Sequence, residues 1–253
     1  MHKFAHTLKA LFLDMDETLC DTTKANNLAL ADMASKAQEL INPSFDGNTF
    51  SKAYLSGIYR ELSPSYQKKL LPVTHEESFR HQLIQLILTD MGETLEEEHS
   101  LAIARLLQDT FDSARTQYFD FFEGIEAWLK RMRQQYKLVV ITNGPEFSQV
   151  TKVERVNLSQ HVDHIIIGGQ EPAQKPDKSI FEKALKLCAL NADEVIHIGD
   201  SLSADIQGAI NAGIHSIWIQ HGQDPQADIQ ADWVIKTPLD LEALLDNITE
   251  VNE

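Results

Sequence analysis

A short apolar run, Leu8 to Leu13, stops abruptly at two acids spaced one residue apart in Asp14-Met15-Asp16-Glu17-Thr18. A run this short that ends in polar residues reads as a buried strand, expected over residues 8–14. Beyond it the spacing turns helical. Leu28, Ala31, Ala34, Leu40 and Ile41 predict a helix over 27–41, and Pro43 with Asp46-Gly47 marks a turn. A helix over 49–62 is expected to stop before Pro64. Thr74 with Glu77, and Thr94 with Glu97, have the spacing of capping boxes. The first opens a helix through Phe79, Leu83, Ile84, Ile87 and Leu88 that ends at Met91-Gly92. The second opens a long helix through Leu101, Ile103, Leu106, Leu107 and Phe111.

After Tyr118 strands return. Helices expected over 125–135, 146–156, 177–187 and 204–212 alternate with strands over 137–142, 162–167, 194–199 and 215–219. Gly213 suits a left-handed helix stop. A last strand over 233–235 leads to Thr237-Pro238, suited to the N-cap and first residue of a final helix. Alternating strand and helix implies a parallel sheet covered on both faces. The expected fold class is therefore α/β: a three-layer, parallel-sheet, Rossmann-like core with an inserted all-helical cap domain. The core is expected over 1–20 and 118–253, and the cap over 21–117.

The composition narrows the partners. The formal net charge is −16, which repels nucleic acid backbones and anionic membranes, and no basic run compensates for it. Neither nucleic acid nor membrane is expected as a partner. No apolar run is long enough to span a bilayer, and Met1 to His6 lacks the apolar core of a signal peptide. Cys20 and Cys188 make no disulfide framework, so a reducing cytoplasm is the expected location. An anionic substrate would need positive charge supplied by the site itself.

In a parallel α/β sheet, ligands bind beyond the carboxyl ends of the strands. Those ends carry Asp14 and Asp16, then Thr142-Asn143-Gly144, then Lys175-Pro176 in a following loop, and then Gly199-Asp200-Ser201 with Asp205. Buried carboxylates need a metal, a basic side chain or water. Each segment also has a plain reading. Two acids make a solvated turn, Asn-Gly a tight turn, Lys175 a solvated loop lysine, and Asp200-Ser201 a helix cap. Those readings do not account for all of them falling, in this order, on one edge of the expected sheet.

Together the segments resemble the four motifs of the haloacid dehalogenase superfamily of phosphatases, and the insertion after the first motif resembles its C1-type helical cap. The resemblance implies a phosphatase that needs Mg²⁺ and a small phosphomonoester. It assigns nucleophilic attack to Asp14. The ion would be held by Asp14, Asp200 and the backbone carbonyl of Asp16, with Asp205 supporting the metal waters or the lysine. Asp16 would be the general acid and base, a role taken to require a raised pKa. Lys175 would neutralise charge, and Thr142, Asn143 and Gly144 would bind phosphate with it. A dehalogenase would lack the second acid that Asp16 provides. The cap is expected to close over the core and select the substrate.

The stretches 166–171 and 205–213 are similar to N-acylneuraminate-9-phosphatases and pyrimidine 5′-nucleotidases. A sugar phosphate such as N-acylneuraminate 9-phosphate is the leading expectation, followed by a nucleoside 5′-monophosphate. A phosphomutase and a non-catalytic phospho-receiver module are the more distant rivals. Cap candidates for a sugar carboxylate are Lys24, Arg60, Lys68, Lys69 and Arg80; those for a base are Phe50, Tyr54, Tyr59 and Phe79. His75 and His81 lack zinc-protease spacing, His197 reads as a core histidine, and Trp128, Trp218 and Trp233 read as packing.

Overall fold

The computed structural model describes residues 8–225 and 228–249. These separate into two compact units, one made of the residues up to Thr22 and from Phe119 onward, the other of Thr23–Tyr118. No helix of the described residues is long and apolar enough to cross a membrane.

The first unit is built on β1 (Ala10–Leu13), and the helical segment that follows comprises α1 (Thr22–Leu40), α2 (Gly47–Ile58), α3 (Pro64–Leu70), α4 (Glu76–Asp90) and α5 (Glu97–Tyr118). The chain then runs through α6 (Ile125–Met132), β2 (Lys137–Thr142), α7 (Glu146–Arg155), β3 (His164–Ile167), α8 (Lys178–Cys188) and β4 (Val195–Gly199). It ends with α9 (Gln207–Ala212), β5 (His215–Ile219), β6 (Trp233–Ile235) and α10 (Leu241–Thr249).

The six strands among the described residues form one parallel sheet in the order β3-β2-β1-β4-β5-β6. Both faces of β1 are buried, which is why its run is continuously apolar. Ala10 and Phe12 point to one face and pack with Val139, Ile141 and Ile166, and with Ile180, Phe181 and Ala184 of α8. Leu13 is level with Val140 of β2 and Ile198 of β4; β1 ends there, whereas β2 continues to Thr142 and β4 to Gly199. Chain order reverses at β1, and this places the ligand crevice at the carboxyl ends of β1 and β4.

The helical unit has its own core. Met33, Phe50, Tyr54, Leu83, Ile103, Leu107 and Phe111 are buried together, and the Tyr54 and Phe111 rings meet edge to face at 5.3 Å.

Element boundaries depart from the sequence expectations in several places. α1 begins at Thr22 rather than Asn27. The helix expected to reach residue 62 ends at Ile58, and Pro64, read as a stop, instead opens α3 behind the Ser63 cap. Proline lacks only an N–H that the first helical turn leaves unpaired anyway. Thr74 does not cap α4: His75 is the N-cap without a side-chain bond, and Glu76 and Glu77 supply the negative charge favoured at a helix start. α5 likewise starts at Glu97, two residues later than a Thr94 cap requires. The helix expected over 204–212 is split into a wide π-helical turn, Leu202–Ile206, and then α9, which stops at Gly213 with φ 69°. Thr237 does form a capping box with Asp240, over one 3₁₀ turn before α10.

Candidate active site

β1 ends in a hydrogen bond from the Asp14 N–H to the Ile198 carbonyl at 2.9 Å, which brings Asp14 beside the end of β4. There Asp14, Asp200 and Asp205 each present a carboxylate oxygen, all within 4.8 Å of one another. Lys175 reaches into the group, its Nζ 2.5 Å from Asp14 Oδ1 and 2.6 Å from Asp205 Oδ1. Asp14, Lys175 and Asp205 are all buried.

Asp205 is committed to the protein. Besides Lys175, its Oδ1 meets His197 Nε2 at 3.0 Å, and its Oδ2 accepts from the Ser201 N–H at 3.0 Å. The wide turn makes this geometry: the N–H groups of Asp205 and Ile206 both bond to the Ser201 carbonyl, which turns Asp205 back over Gly199. The Asp200 carbonyl accepts from Trp218 Nε1 at 2.8 Å, and its carboxylate has no hydrogen-bond partner among the described residues.

Asp16 lies in a separate group. Its Oδ1 accepts from Lys152 Nζ at 2.6 Å and from Thr22 Oγ1 at 2.5 Å, and its Oδ2 from Gln149 Nε2 at 2.9 Å. The same Gln149 nitrogen lies 2.6 Å from Thr142 Oγ1 and 2.7 Å from the Asn143 carbonyl, so its two hydrogens are shared among three acceptors. Thr142 and Asp16 are thus joined through one side chain. Asn143 ties the end of β2 to the lysine loop: its Nδ2 donates to the Lys175 carbonyl at 2.8 Å, and its Oδ1 accepts from the Lys175 N–H at 2.9 Å. The Gly144 N–H donates to Gln174 Oε1 at 3.1 Å from a backbone with φ 125°, which glycine adopts without strain. Glu17, next to Asp16, holds a left-handed conformation with φ 57°, and His221 Nε2 contacts its carbonyl at 2.6 Å.

The electrostatics divide the acids into two kinds. Burial lifts the Asp14 pKa to about 7; Lys175 opposes the rise and the neighbouring carboxylates add to it. Burial, then Asp14 and Asp205, lift Asp200 to about 8. Burial also works against an ionised Asp205, but Lys175 and His197 outweigh it and hold Asp205 low. Lys175 is raised despite burial, by Asp14 and Asp205, and stays protonated. Burial keeps His197 neutral.

Asp16 is the correction. Its proposed role called for a raised pKa, yet Lys152, Gln149 and Thr22 overcome the effect of burial and lower it to about 2. The like charges expected to raise it lie in the other group, while its own contacts are donors.

Burial first, and then the neighbouring carboxylates, make Asp14 and Asp200 resist ionisation, and one lysine serves all three clustered acids. An all-oxygen donor set with this charge suits a hard divalent cation such as Mg²⁺.

The sequence reading missed Gln149, Lys152, Gln174 and the link from His197 to Asp205. Gln149 and Lys152 follow Thr142 on α7 and sit three residues apart, hence on one helix face. That spacing was the available signal. The helical unit's candidates are mostly occupied elsewhere. Arg80 is buried and paired with Glu76 and Asp112, and Arg60 pairs with Glu76 and covers the Phe79 ring at 3.9 Å. Phe50, Tyr54 and Phe79 are core residues, whereas Tyr59 is exposed. Trp218 does more than pack, since it anchors Asp200.

Residues 11–219 match the family model described as haloacid dehalogenase-like hydrolase. The chain is 25% identical over 244 residues to an N-acylneuraminate-9-phosphatase of Rattus norvegicus, covering 95% of each chain. It is 28% identical over 234 residues to a glyceraldehyde 3-phosphate phosphatase of Pyrococcus furiosus, covering 90% of this chain and 89% of that one. A solved HAD-hydrolase structure from Bacillus subtilis, bound to magnesium, superposes with a TM-score of 0.70 at 21% identity, covering 94% of this chain and 99% of that one.

Proposed function

The chain belongs to the haloacid dehalogenase-like hydrolases, and from that premise we propose that it is a Mg²⁺-dependent phosphatase that hydrolyses a small phosphorylated metabolite through an aspartyl-phosphate. The observation that carries this reading is Asp14, held by Lys175 at the end of the central strand and facing Asp200.

Asp14, Asp200 and the Asp16 carbonyl are the residues assigned to hold the ion. When bound, Mg²⁺ relieves the repulsion between the Asp14 carboxylate and the phosphate and offsets charge on the transferring oxygens. Asp14 attacks phosphorus with the oxygen that Lys175 does not hold, and the bond from phosphorus to the leaving oxygen breaks. Lys175 stays protonated and stabilises the equatorial oxygens, with the Thr142 hydroxyl and the Asn143 backbone amide; the Gly144 N–H, expected beside them, is already given to Gln174 Oε1. Asp205, fixed by His197 and Ser201, holds Lys175 in place.

An incoming phosphate dianion is a like charge that drives Asp16 toward its neutral form. Asp16 then protonates the leaving oxygen. In the second step it takes a proton from water, which attacks the same phosphorus and restores the Asp14 carboxylate. The products are an alcohol and inorganic phosphate.

The rat relative supports a sugar phosphate such as N-acylneuraminate 9-phosphate as the leading substrate. Purified protein with Mg²⁺ is expected to hydrolyse p-nitrophenyl phosphate, to stop with EDTA, and to recover when Mg²⁺ is restored. Asp14→Asn is expected to lower turnover by about 1,000-fold or more. Full turnover by Asp14→Asn would remove the nucleophile assignment. A phosphate-release panel of acylneuraminate 9-phosphates, sugar phosphates, glyceraldehyde 3-phosphate and nucleoside 5′-monophosphates then ranks the substrates. Phosphate release without a bisphosphate activator excludes a mutase.

A further inference from the structure

Lys152 is a lysine almost wholly withdrawn from solvent, at 7% exposure, and its α7 neighbour Gln149 is at 2%. A buried ammonium is costly unless its partner is well placed. One partner here is Asp16 Oδ1 at 2.6 Å, and the ammonium also lies 5.4 Å from the centre of the Phe119 ring. Gln149 meets the other Asp16 oxygen, and Thr22 closes the set. Both carboxylate oxygens are therefore held from fixed directions, which leaves the side chain one orientation. Gln149 also grips Thr142 Oγ1 and the Asn143 carbonyl, so the element that aims Asp16 is locked to the end of β2.

We propose that Lys152, assisted by Gln149, is a positioning residue that aims the Asp16 carboxylate at the leaving oxygen. The inference rests on Asp16 being the acid and base of the proposed reaction. A charge pair that served only the fold would have no reason to distinguish between substrates. A pair that aims the acid matters most where the leaving group needs a proton.

The test compares two esters by kcat/KM, which reports the transfer to Asp14. p-Nitrophenyl phosphate releases a stable phenolate, whereas glucose 6-phosphate releases an alkoxide that must be protonated. With Mg²⁺ present, Lys152→Met is expected to lower kcat/KM for glucose 6-phosphate by about 10- to 100-fold and for p-nitrophenyl phosphate by less than about 3-fold. Lys152→Arg recovers most of the loss. In an Asp16→Asn background, Lys152→Met adds less than about 2-fold, because a residue acting through Asp16 has nothing left to position. Lys152→Gln, which keeps a polar donor in the same place, shows the same selectivity at smaller size, and it serves if Lys152→Met melts below the assay temperature. Equal losses for both esters, or a full additional loss in the Asp16→Asn background, overturn the inference while leaving the acid role of Asp16 standing. If Asp16→Asn itself fails to separate the esters, that role falls, and the inference falls with it. Failure of wild-type protein to hydrolyse either ester overturns both.

Discussion

Gly199 shows how tightly single residues are set in this site. A Cβ placed there would lie 2.2 Å from Cγ of Asp205, so only glycine lets the acid fold back onto Lys175. Gly199→Ala is expected to push Asp205 away, costing about 1–3 kcal/mol of stability and about 10- to 100-fold in Mg²⁺ affinity. Thermal melting and the Mg²⁺ dependence of phosphate release measure the two effects. Asp14, Asp16, Thr142, Lys175 and Asp200 were legible in the sequence because each follows an apolar run or a strand-end turn. Their partners were not. Lys152 is 136 residues from Asp16, and a helical lysine looks the same in sequence whether it faces water or a buried acid. The error over the Asp16 pKa follows from that: neighbouring acids are visible in the sequence, whereas a distant ammonium is not.

Among the elements, strands were easier to read than helices. β2, β5 and β6 have the expected limits; β2 and β5 are apolar runs buried over most of their length, and β6 is a short edge strand with Val234 exposed. Helix limits depend on cap and turn geometry that residue type leaves open, as at Pro64 and Thr74. The wide turn over Leu202–Ile206 is a further case, because nothing in its residues distinguishes it from the first turn of an ordinary helix. Leu202 and Ile206 pack on Trp218, and the Trp218 indole holds the Asp200 carbonyl. Trp218→Phe keeps the ring and removes that bond. It is expected to cost about 1 kcal/mol and to weaken Mg²⁺ binding by about 10-fold. Isothermal titration with Mg²⁺ checks this, and an unchanged affinity would show that the turn does not need the indole.

At the scale of the molecule, the acid cluster links metal, pH and stability. Asp14 and Asp200 have folded-state pKa values of about 7 and about 8, above the ordinary carboxylate value of 3.8. The metal-free folded protein therefore holds protons that the unfolded chain has released. Their contribution to stability is present at acid pH and is lost as pH rises through those values. Asp16 acts in the opposite sense: at about 2 its contribution is present above 3.8 and lost only as pH falls toward 2. Between pH 5 and pH 8 the first pair governs. A ligating cation removes its penalty, so the rise in melting temperature on adding Mg²⁺ to EDTA-treated protein is expected to be larger at pH 8 than at pH 5. Equal rises at both pH values would disconnect the cluster from the ion.

The position of β1 in the middle of the sheet also has a consequence for biosynthesis. Ala10 lies beside Val195, 185 residues further along. At about 5–20 residues per second, roughly 10–40 s pass between the synthesis of these neighbours. Thr23–Tyr118, with a core of its own, emerges from the ribosome in that interval, while an apolar strand waits unpaired. The carboxylate proposed to begin the reaction is made well before the lysine that holds it, which follows 161 residues later.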